Sequence, residues 1–287
     1  MAGNLTIGAL LTQGIDRLRG ASSCAGDGAS HTLDAELLLA HALSMSRTQI
    51  KTHPENVPSS DRARRYAELI DRRTTGEPVA YILGYRDFWT LRLAVSPAVL
   101  VPRPETELLV ERALALGPTG AAHVVDLGTG SGAIALALAT ERPQWTVAAT
   151  DISEAALSAA RANASKLGLG RVELLKGPWF GPLAGRRFDL IASNPPYVAE
   201  GDPAMQDAAL RHEPQIALAS GPDGMSALRE IVHSAPQHLE RRGWLLLEHG
   251  SDQAAAVARE LVVRGFGHVR SHRDLAGHER MTEAQWN

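Results

Sequence analysis

The segment that most constrains the fold is Val124-Val125-Asp126-Leu127-Gly128-Thr129-Gly130-Ser131-Gly132, an apolar run that ends in alternating glycines and passes directly into Ala133-Ile134-Ala135-Leu136. A short continuous apolar run followed by glycines and an apolar helix pattern reads as a strand buried on both faces, the condition of a strand in a parallel sheet covered by helices. Beyond Ala121 the alternation continues. Strands are expected at His123 to Leu127, Thr146 to Thr150, Val172 to Leu175, Phe188 to Ala192, Trp244 to Glu248 and His268 to His272. Helices are expected between them at Ala133 to Thr140, Glu154 to Leu167, Met225 to Leu239 and Gln253 to Val263. That is the rhythm of βαβ units, so the expected fold is α/β with a mostly parallel, doubly wound sheet. The sequence shows no internal repeat and no low-complexity tract.

Upstream the pattern differs. Residues 1 to about 76 read as helices separated by polar loops, the clearest loop running from Ala21 to Ser30. Leu33 to Leu43 presents a broad apolar face, with Thr32 as its expected cap. A second helix follows Ser59-Ser60, with Ala63, Tyr66, Ala67, Leu69 and Ile70 inward and Arg62, Arg65, Asp71 and Arg72 outward, ending near Gly76. From Val79 to Val101 aromatic and β-branched alternation predicts a short antiparallel hairpin. The expected division is therefore a helical domain at 1–78, a hairpin linker at 79–101 and the α/β domain at 102–287.

Composition sets the class. With 44% hydrophobic and 21% charged residues in 287, there is apolar material for a sizeable core plus a smaller appendage. A formal charge of −3 without a long basic run argues against capture of nucleic-acid backbone as the main task. Cys24 is the only cysteine, which excludes an internal disulfide and a thiolate zinc cage and fits a reducing cytoplasm. No signal-peptide pattern opens the chain and no apolar run reaches bilayer length, so a soluble cytoplasmic protein is expected.

Three segments carry the chemistry. The glycines at 128, 130 and 132 permit close approach of a ligand, the following helix offers free N–H groups, and Asp126 ends the strand where it can meet polar ligand groups. Their spacing, Gly-x-Gly-x-Gly, differs from the dinucleotide fingerprint. Asp151 ends the second strand of this region, where an acid accepts the two ribose hydroxyls of an adenosine moiety or else caps the next helix. The third is Asp189-Leu190-Ile191-Ala192-Ser193-Asn194-Pro195-Pro196-Tyr197. Neither proline has an N–H, so the backbone is stiff and its carbonyls are free; with the Asn194 side-chain carbonyl they can grip both hydrogens of a planar –NH₂ while Tyr197 stacks on it. An amide nitrogen is a poor nucleophile, so orientation opposite a sulfonium methyl must supply the rate. No general base is evident beside Asn194.

Other residues leave alternatives open. Arg103 faces cofactor or substrate carboxylates, or belongs to a helix start in Pro102-Arg103-Pro104-Glu105. Glu248 lines the ligand edge of the sheet or is a buried, hydrogen-bonded carboxylate. The arginines from Arg62 to Arg73 form a solvated face or meet an acidic partner. His268 and His272 share one side of a strand, but without a third ligand no metal is expected.

At these residues the sequence resembles the peptide chain release factor glutamine methyltransferases. The resemblance runs from Asp34-Ala35-Glu36-Leu37-Leu38-Leu39-Ala40 through Val101-Pro102-Arg103-Pro104-Glu105-Thr106-Glu107, the glycine turn, Asn194 to Tyr197, His212-Glu213-Pro214 and Leu247-Glu248-His249-Gly250 to Asp274-Leu275-Ala276-Gly277. Asn-Pro-Pro-Tyr also occurs in DNA adenine and rRNA guanine methyltransferases, so a nucleic-acid exocyclic-amine methyltransferase is the competing expectation. The resemblance implies a Rossmann-like class I methyltransferase domain with a seven-stranded sheet. It further implies S-adenosyl-L-methionine as cofactor, and class-1 release factors as substrate, methylated on N5 of the glutamine in their Gly-Gly-Gln motif. It assigns the cofactor to Gly128, Thr129, Gly130, Ser131, Gly132, Asp151, Trp179 and Asn194, and the glutamine to Asn194, Pro195, Pro196 and Tyr197, with Arg103 as a further candidate. A monomer without stable nucleic-acid binding is expected, and Gly277-His278-Glu279-Arg280-Met281 departs from the family pattern where a late hairpin belongs.

Overall fold

The computed structural model describes residues 5–21 and 31–287; Cys24 and nearly all of the expected loop Ala21 to Ser30 lie outside the described residues. The chain forms two compact units, Met1–Gly84 with Pro203–His212, and Tyr85–Asp202 with Glu213–Asn287.

The first unit is helical: α1 (Ile7–Gly20), α2 (His31–Leu43), α3 (Arg47–Thr52), α4 (Ser60–Thr74) and α5 (Val79–Leu83). Its caps are local chemistry. The Thr6 hydroxyl accepts from Ala9 N at the start of α1, and Ser46 and Gln49 form a reciprocal capping box on α3. Leu38, Leu39, Leu43, Ile50, Tyr66 and Ile70 pack into one core. Three expectations are corrected. Thr32 lies inside α2, whose first residue is His31, and is not its cap. Ala67 is exposed, because it lies to the side of the stripe Tyr66, Leu69, Ile70 and Arg73 that α4 buries. Arg73 leaves the solvated arginine face: it is buried and donates to Asp34 at 2.9 Å and to the carbonyls of Gly76 and Glu77. The segment 203–212 joins this unit, where His212 Nε2 lies 3.4 Å from the Thr75 carbonyl oxygen.

The expected hairpin is shorter than 79–101. Val79–Leu83 is a helical turn stopped by Gly84 in left-handed conformation (φ 78°), because Ala80, Tyr81 and Ile82 are buried by turning rather than by alternating. Strands β1 (Tyr85–Phe88) and β2 (Leu91–Ala94) then pair antiparallel.

The second unit continues with a 3₁₀ turn at Pro104–Thr106, α6 (Glu107–Leu116), β3 (His123–Leu127), α7 (Ala133–Glu141), β4 (Thr146–Asp151), α8 (Glu154–Lys166), β5 (Glu173–Lys176), β6 (Phe188–Ser193), α9 (Ser226–Ser234), β7 (Leu239–Glu248), α10 (Ala254–Arg264), β8 (Phe266–Arg273) and β9 (Glu279–Trp286). The seven strands lie in the order β5-β4-β3-β6-β7-β9-β8, parallel from β5 to β7, with β9 antiparallel to both its neighbours. Alternate residues serve opposite faces. Val124, Val147, Ala149, Leu190, Ala192 and Leu246 belong to one core with α6 and α7, while Val125, Leu127, Ala148, Ile191, Leu245 and Leu247 belong to another with α9 and α10. Truncating a buried leucine such as Leu136 to alanine costs about 2–5 kcal/mol.

Two boundaries move for physical reasons. The helix expected to reach Leu239 ends at Ser234 and tightens into a 3₁₀ turn at Ala235–Gln237, because Pro236 can neither donate nor continue an α-helix. β7 starts at Leu239 rather than Trp244. β9 had no sequence expectation beyond a late hairpin; it pairs with β7 over five residues although Thr282 and Glu283 sit buried within it.

Candidate active site

The order of strands reverses around β3: α7 leads to β4 on one side, while β6 lies on the other. Ligands of open α/β sheets bind outside the carboxyl ends of strands at such a point. A cavity of about 310 Å³ opens there, lined among others by Gly128, Gly130, Asp151, Trp179, Asn194 and Pro196.

The glycine turn explains its own composition. Gly128, Gly130 and Gly132 have φ of 72°, 56° and 87°, a region L side chains avoid, so the Gly-x-Gly-x-Gly pattern is a requirement of the path. At Gly132 a Cβ would also come within 2.9 Å of Leu136 Cδ1. At Gly130 it would meet no heavy atom within 4 Å, leaving backbone open to the cavity. The amides of Gly128 and Thr129 both donate to the Thr150 carbonyl, which ties the turn to β4. Asn163 ties it from behind: its side chain donates to the Ser131 and Ala94 carbonyls and accepts from Ala94 N at 2.7 Å.

Asp126 takes a different place from the one expected. It is fully buried, its Oδ2 accepting from Thr129 Oγ1 at 2.6 Å and from Ala135 N at 3.2 Å, and its Oδ1 has no protein partner. Burial pushes its carboxyl up to about 7. It ties the turn to α7 and does not line the cavity. Thr129 and Ser131 are buried likewise, so their side chains serve the turn and only its backbone is offered to a ligand.

Asp151 does line the cavity. Its Oδ1 accepts from Ser153 N at 2.8 Å and its Oδ2 from Gly130 N at 2.9 Å, while the cap of α8 is Ser153, not Asp151; each Asp151 oxygen keeps a lone pair. Trp179 stands in left-handed backbone (φ 39°), its carbonyl accepting from Thr150 Oγ1 and its ring 3.3 Å from where a Gly128 Cβ would sit.

On the opposite wall β6 delivers Asn194, half-buried, whose Nδ2 donates to Thr106 Oγ1 at 3.1 Å. Ser193 fixes the strand end by donating to the Leu127 carbonyl at 2.7 Å. Pro196 lines the cavity; Pro195 is buried, and Tyr197 packs against the second core with its carbonyl accepting from Gln253 Nε2. Burial pushes the Tyr197 phenol up, so it stays protonated. Arg103 pairs with Glu213, whose Oε2 also accepts from Val101 N at 3.0 Å, so two separate sequence motifs meet in one structural clamp. Glu248 is buried, and burial pushes its carboxyl up to about 7. Sequence reasoning did not single out Thr106, Asn163 or Ser193. Thr106 and Ser193 stood in quoted motifs, where Thr106 read as part of a helix start and Ser193 as the strand before Asn194. Among the described residues no group of histidine, cysteine and acidic side chains could hold a metal ion.

Comparison with known proteins decides between the chemistries that this arrangement permits. Family models for the PrmC N-terminal domain and the methyltransferase small domain match residues 9–84 and 104–221. A release factor glutamine methyltransferase of Pseudomonas aeruginosa is 51% identical over 91% of this chain and 94% of its own. The chain belongs to the release factor glutamine methyltransferases. A relative of the same name from Aliivibrio fischeri is 40% identical over 99% of this chain and 98% of its own. Among solved structures, a methyltransferase from Pyrococcus furiosus shares the fold, with a TM-score of 0.53 at 19% identity over 78% of this chain and 98% of that one.

Proposed function

We propose that this chain transfers a methyl group from S-adenosyl-L-methionine to N5 of the glutamine in the Gly-Gly-Gln motif of class-1 peptide chain release factors. The observation that carries the proposal is the convergence of the glycine turn, Asp151 and Asn194 on one cavity in a chain of this family. The cavity's chemistry suits the donor: open backbone at Gly130, two acceptor oxygens on Asp151 for ribose hydroxyls, and the Trp179 ring as a wall for adenine. The bound cofactor supplies an electrophilic methyl on sulfur. Asn194 Oδ1 and the carbonyls of the proline pair accept from the two hydrogens of the substrate amide, which aims the nitrogen and removes much of the orientational cost of the displacement, up to about 7–11 kcal/mol in favourable intramolecular models. Pro195 and Pro196 serve as the rigid frame of this grip and Tyr197 as its apolar flank, while Thr129, Ser131 and Gly132 shape the turn. Arg103 acts through its pairing with Glu213.

The helical domain at 1–78 recognises the release factor, the segment 79–101 links it, and 102–287 carries out the transfer. The enzyme works as a cytoplasmic monomer without stable nucleic-acid binding; among the described residues no helix is long and apolar enough to cross a membrane. The named relatives favour a protein amide over a nucleic-acid amine. Incubation with labelled cofactor, a release factor and total RNA, followed by mass spectrometry, tests the proposal. One added methyl on the Gly-Gly-Gln peptide supports it; label on RNA alone rejects it.

A further inference from the structure

The segment 194–197 is stiff, and a stiff segment is placed by its two ends. The near end is fixed on β6, where Ser193 Oγ donates to the Leu127 carbonyl at 2.7 Å and Asn194 Nδ2 donates to Thr106 Oγ1 at 3.1 Å. Between the ends Pro195 and Pro196 hold their own φ, so a displacement of one end is carried to the other rather than absorbed. Beyond the far end the chain is tied as well: Val198 N donates to the Leu218 carbonyl and Ser220 N to the Val198 carbonyl, both at 2.9 Å.

The far end itself is held by a side chain that does not line the cavity. The Tyr197 carbonyl accepts from Gln253 Nε2 at 3.0 Å, and the Oε1 of the same half-buried amide accepts from Gly250 N at 2.9 Å. Gly250 and Gln253 belong to the turn between β7 and α10, which closes with Gln253 N donating to the Gly250 carbonyl at 3.0 Å. Both partners of the amide are backbone groups with one role each: a carbonyl only accepts and an N–H only donates. Exchanging Oε1 and Nε2 would lose both bonds, so the amide has one orientation. Gly224 packs against this pair in left-handed backbone (φ 72°), and a Cβ there would collide with the Tyr197 carbonyl oxygen and come within 2.8 Å of Gln253 Nε2.

We propose that Gln253 is a positioning residue for methyl transfer: it fixes the far end of the segment 194–197 and, through the stiff proline pair, the carbonyls that receive a substrate –NH₂. This rests on the function proposed above, since only an –NH₂ substrate needs acceptors placed there. Gln253 also has a local task, because its Oε1 satisfies Gly250 N at the entry to α10. Gln253→Glu separates the two. The carboxylate still accepts from Gly250 N, but it has no proton for the Tyr197 carbonyl and sets one oxygen against another.

The test compares the full chain with Gln253→Glu and Gln253→Ala at a pH where the new carboxyl is ionised, using a release factor and S-adenosylmethionine. Gln253→Glu is expected to lower kcat about tenfold to a hundredfold. Donor affinity and the KM for the release factor stay within about threefold of the parent, the pattern of an interaction that counts in the transition state. Gln253→Ala, which removes the donor without opposing the carbonyl, loses about fivefold to tenfold in kcat. Undiminished kcat in Gln253→Glu would leave the amide a local support of the turn before α10, and a loss of donor affinity as large as the loss of kcat would make it a general support of the fold; either overturns the proposal. Should Gln253→Glu not fold, Gln253→Ala decides by the same comparison. A readout without substrate separates this inference from the function on which it rests. In amide hydrogen exchange, Val198 and Ser220 exchange about tenfold faster in Gln253→Glu than in the parent, while Val125 and Leu127 in β3 keep their rates. Unchanged exchange at Val198 and Ser220 overturns the proposal whether or not the release factor is methylated.

Discussion

The two walls of the cavity are built in opposite ways. The wall from β3 and β4 is backbone: three left-handed glycines, two amides on the Thr150 carbonyl, and an acid whose oxygens are fixed by the amides of Gly130 and Ser153. The wall from β6 is side chain: one amide, that of Asn194, bonded to one hydroxyl, that of Thr106. A backbone wall is set by φ and ψ and is indifferent to many of the side chains it carries. A side-chain wall stands or falls with single atoms and single protons. The cofactor is large and the same at every turnover, which suits the first. The reacting nitrogen must be placed within fractions of an ångström, which calls for the second.

The largest effect that would break this contrast concerns the buried acid behind the glycine wall. Asp126 is held up to about 7 from an ordinary 3.8, so between those values the folded chain keeps a proton that the unfolded chain has released. Stability is therefore full below about pH 4 and falls as pH rises toward 7, by up to about 4 kcal/mol if the whole shift is expressed. Asp126→Asn keeps an acceptor for Thr129 and Ala135 and should flatten that slope in denaturant titrations run across the range. A slope equal to the parent's would mean that the acid is solvated and the turn is held otherwise.

Next in size is Asp151→Ala. It removes two acceptor oxygens from the cavity and unfastens Gly130, and should weaken donor binding by about 2–3 kcal/mol in calorimetry while the protein stays folded. Unchanged affinity would take Asp151 out of the donor site. The smallest is Gly132→Ala, where φ of 87° and the approach to Leu136 should cost about 1–2 kcal/mol of stability, read from the thermal midpoint. A neutral substitution there would show that the turn relaxes and that its glycines answer to the ligand alone.

The contrast also explains what could be read from the sequence. A left-handed turn announces itself, because glycine is the residue that takes φ of 56° to 87° freely, and the alternation of apolar strands and helices marks the sheet around it. Asp151 and Asn194 were visible as polar residues ending apolar strands. The supports of Asn194 were not. Thr106 lies 88 residues away, and nothing local in Pro104-Glu105-Thr106 distinguishes a hydroxyl that aims an amide from one that starts a helix. Asn163, 69 residues from Ala94, reads as a polar position in the middle of α8. Val79–Leu83 has strand composition and is a helix because its three central side chains are buried by a turn, and β9 hides because Thr282 and Glu283 are buried in it with partners on other elements, Arg112 for Glu283 and His249 for Thr282.

The division between the walls is tested most directly with Asn194→Ala, by measuring S-adenosylmethionine affinity calorimetrically and single-turnover methylation of a release factor on the same preparation. The account predicts donor affinity within about twofold of the parent and a transfer rate lowered about a hundredfold to a thousandfold. Equal loss of both, or full transfer without the Asn194 amide, would contradict it.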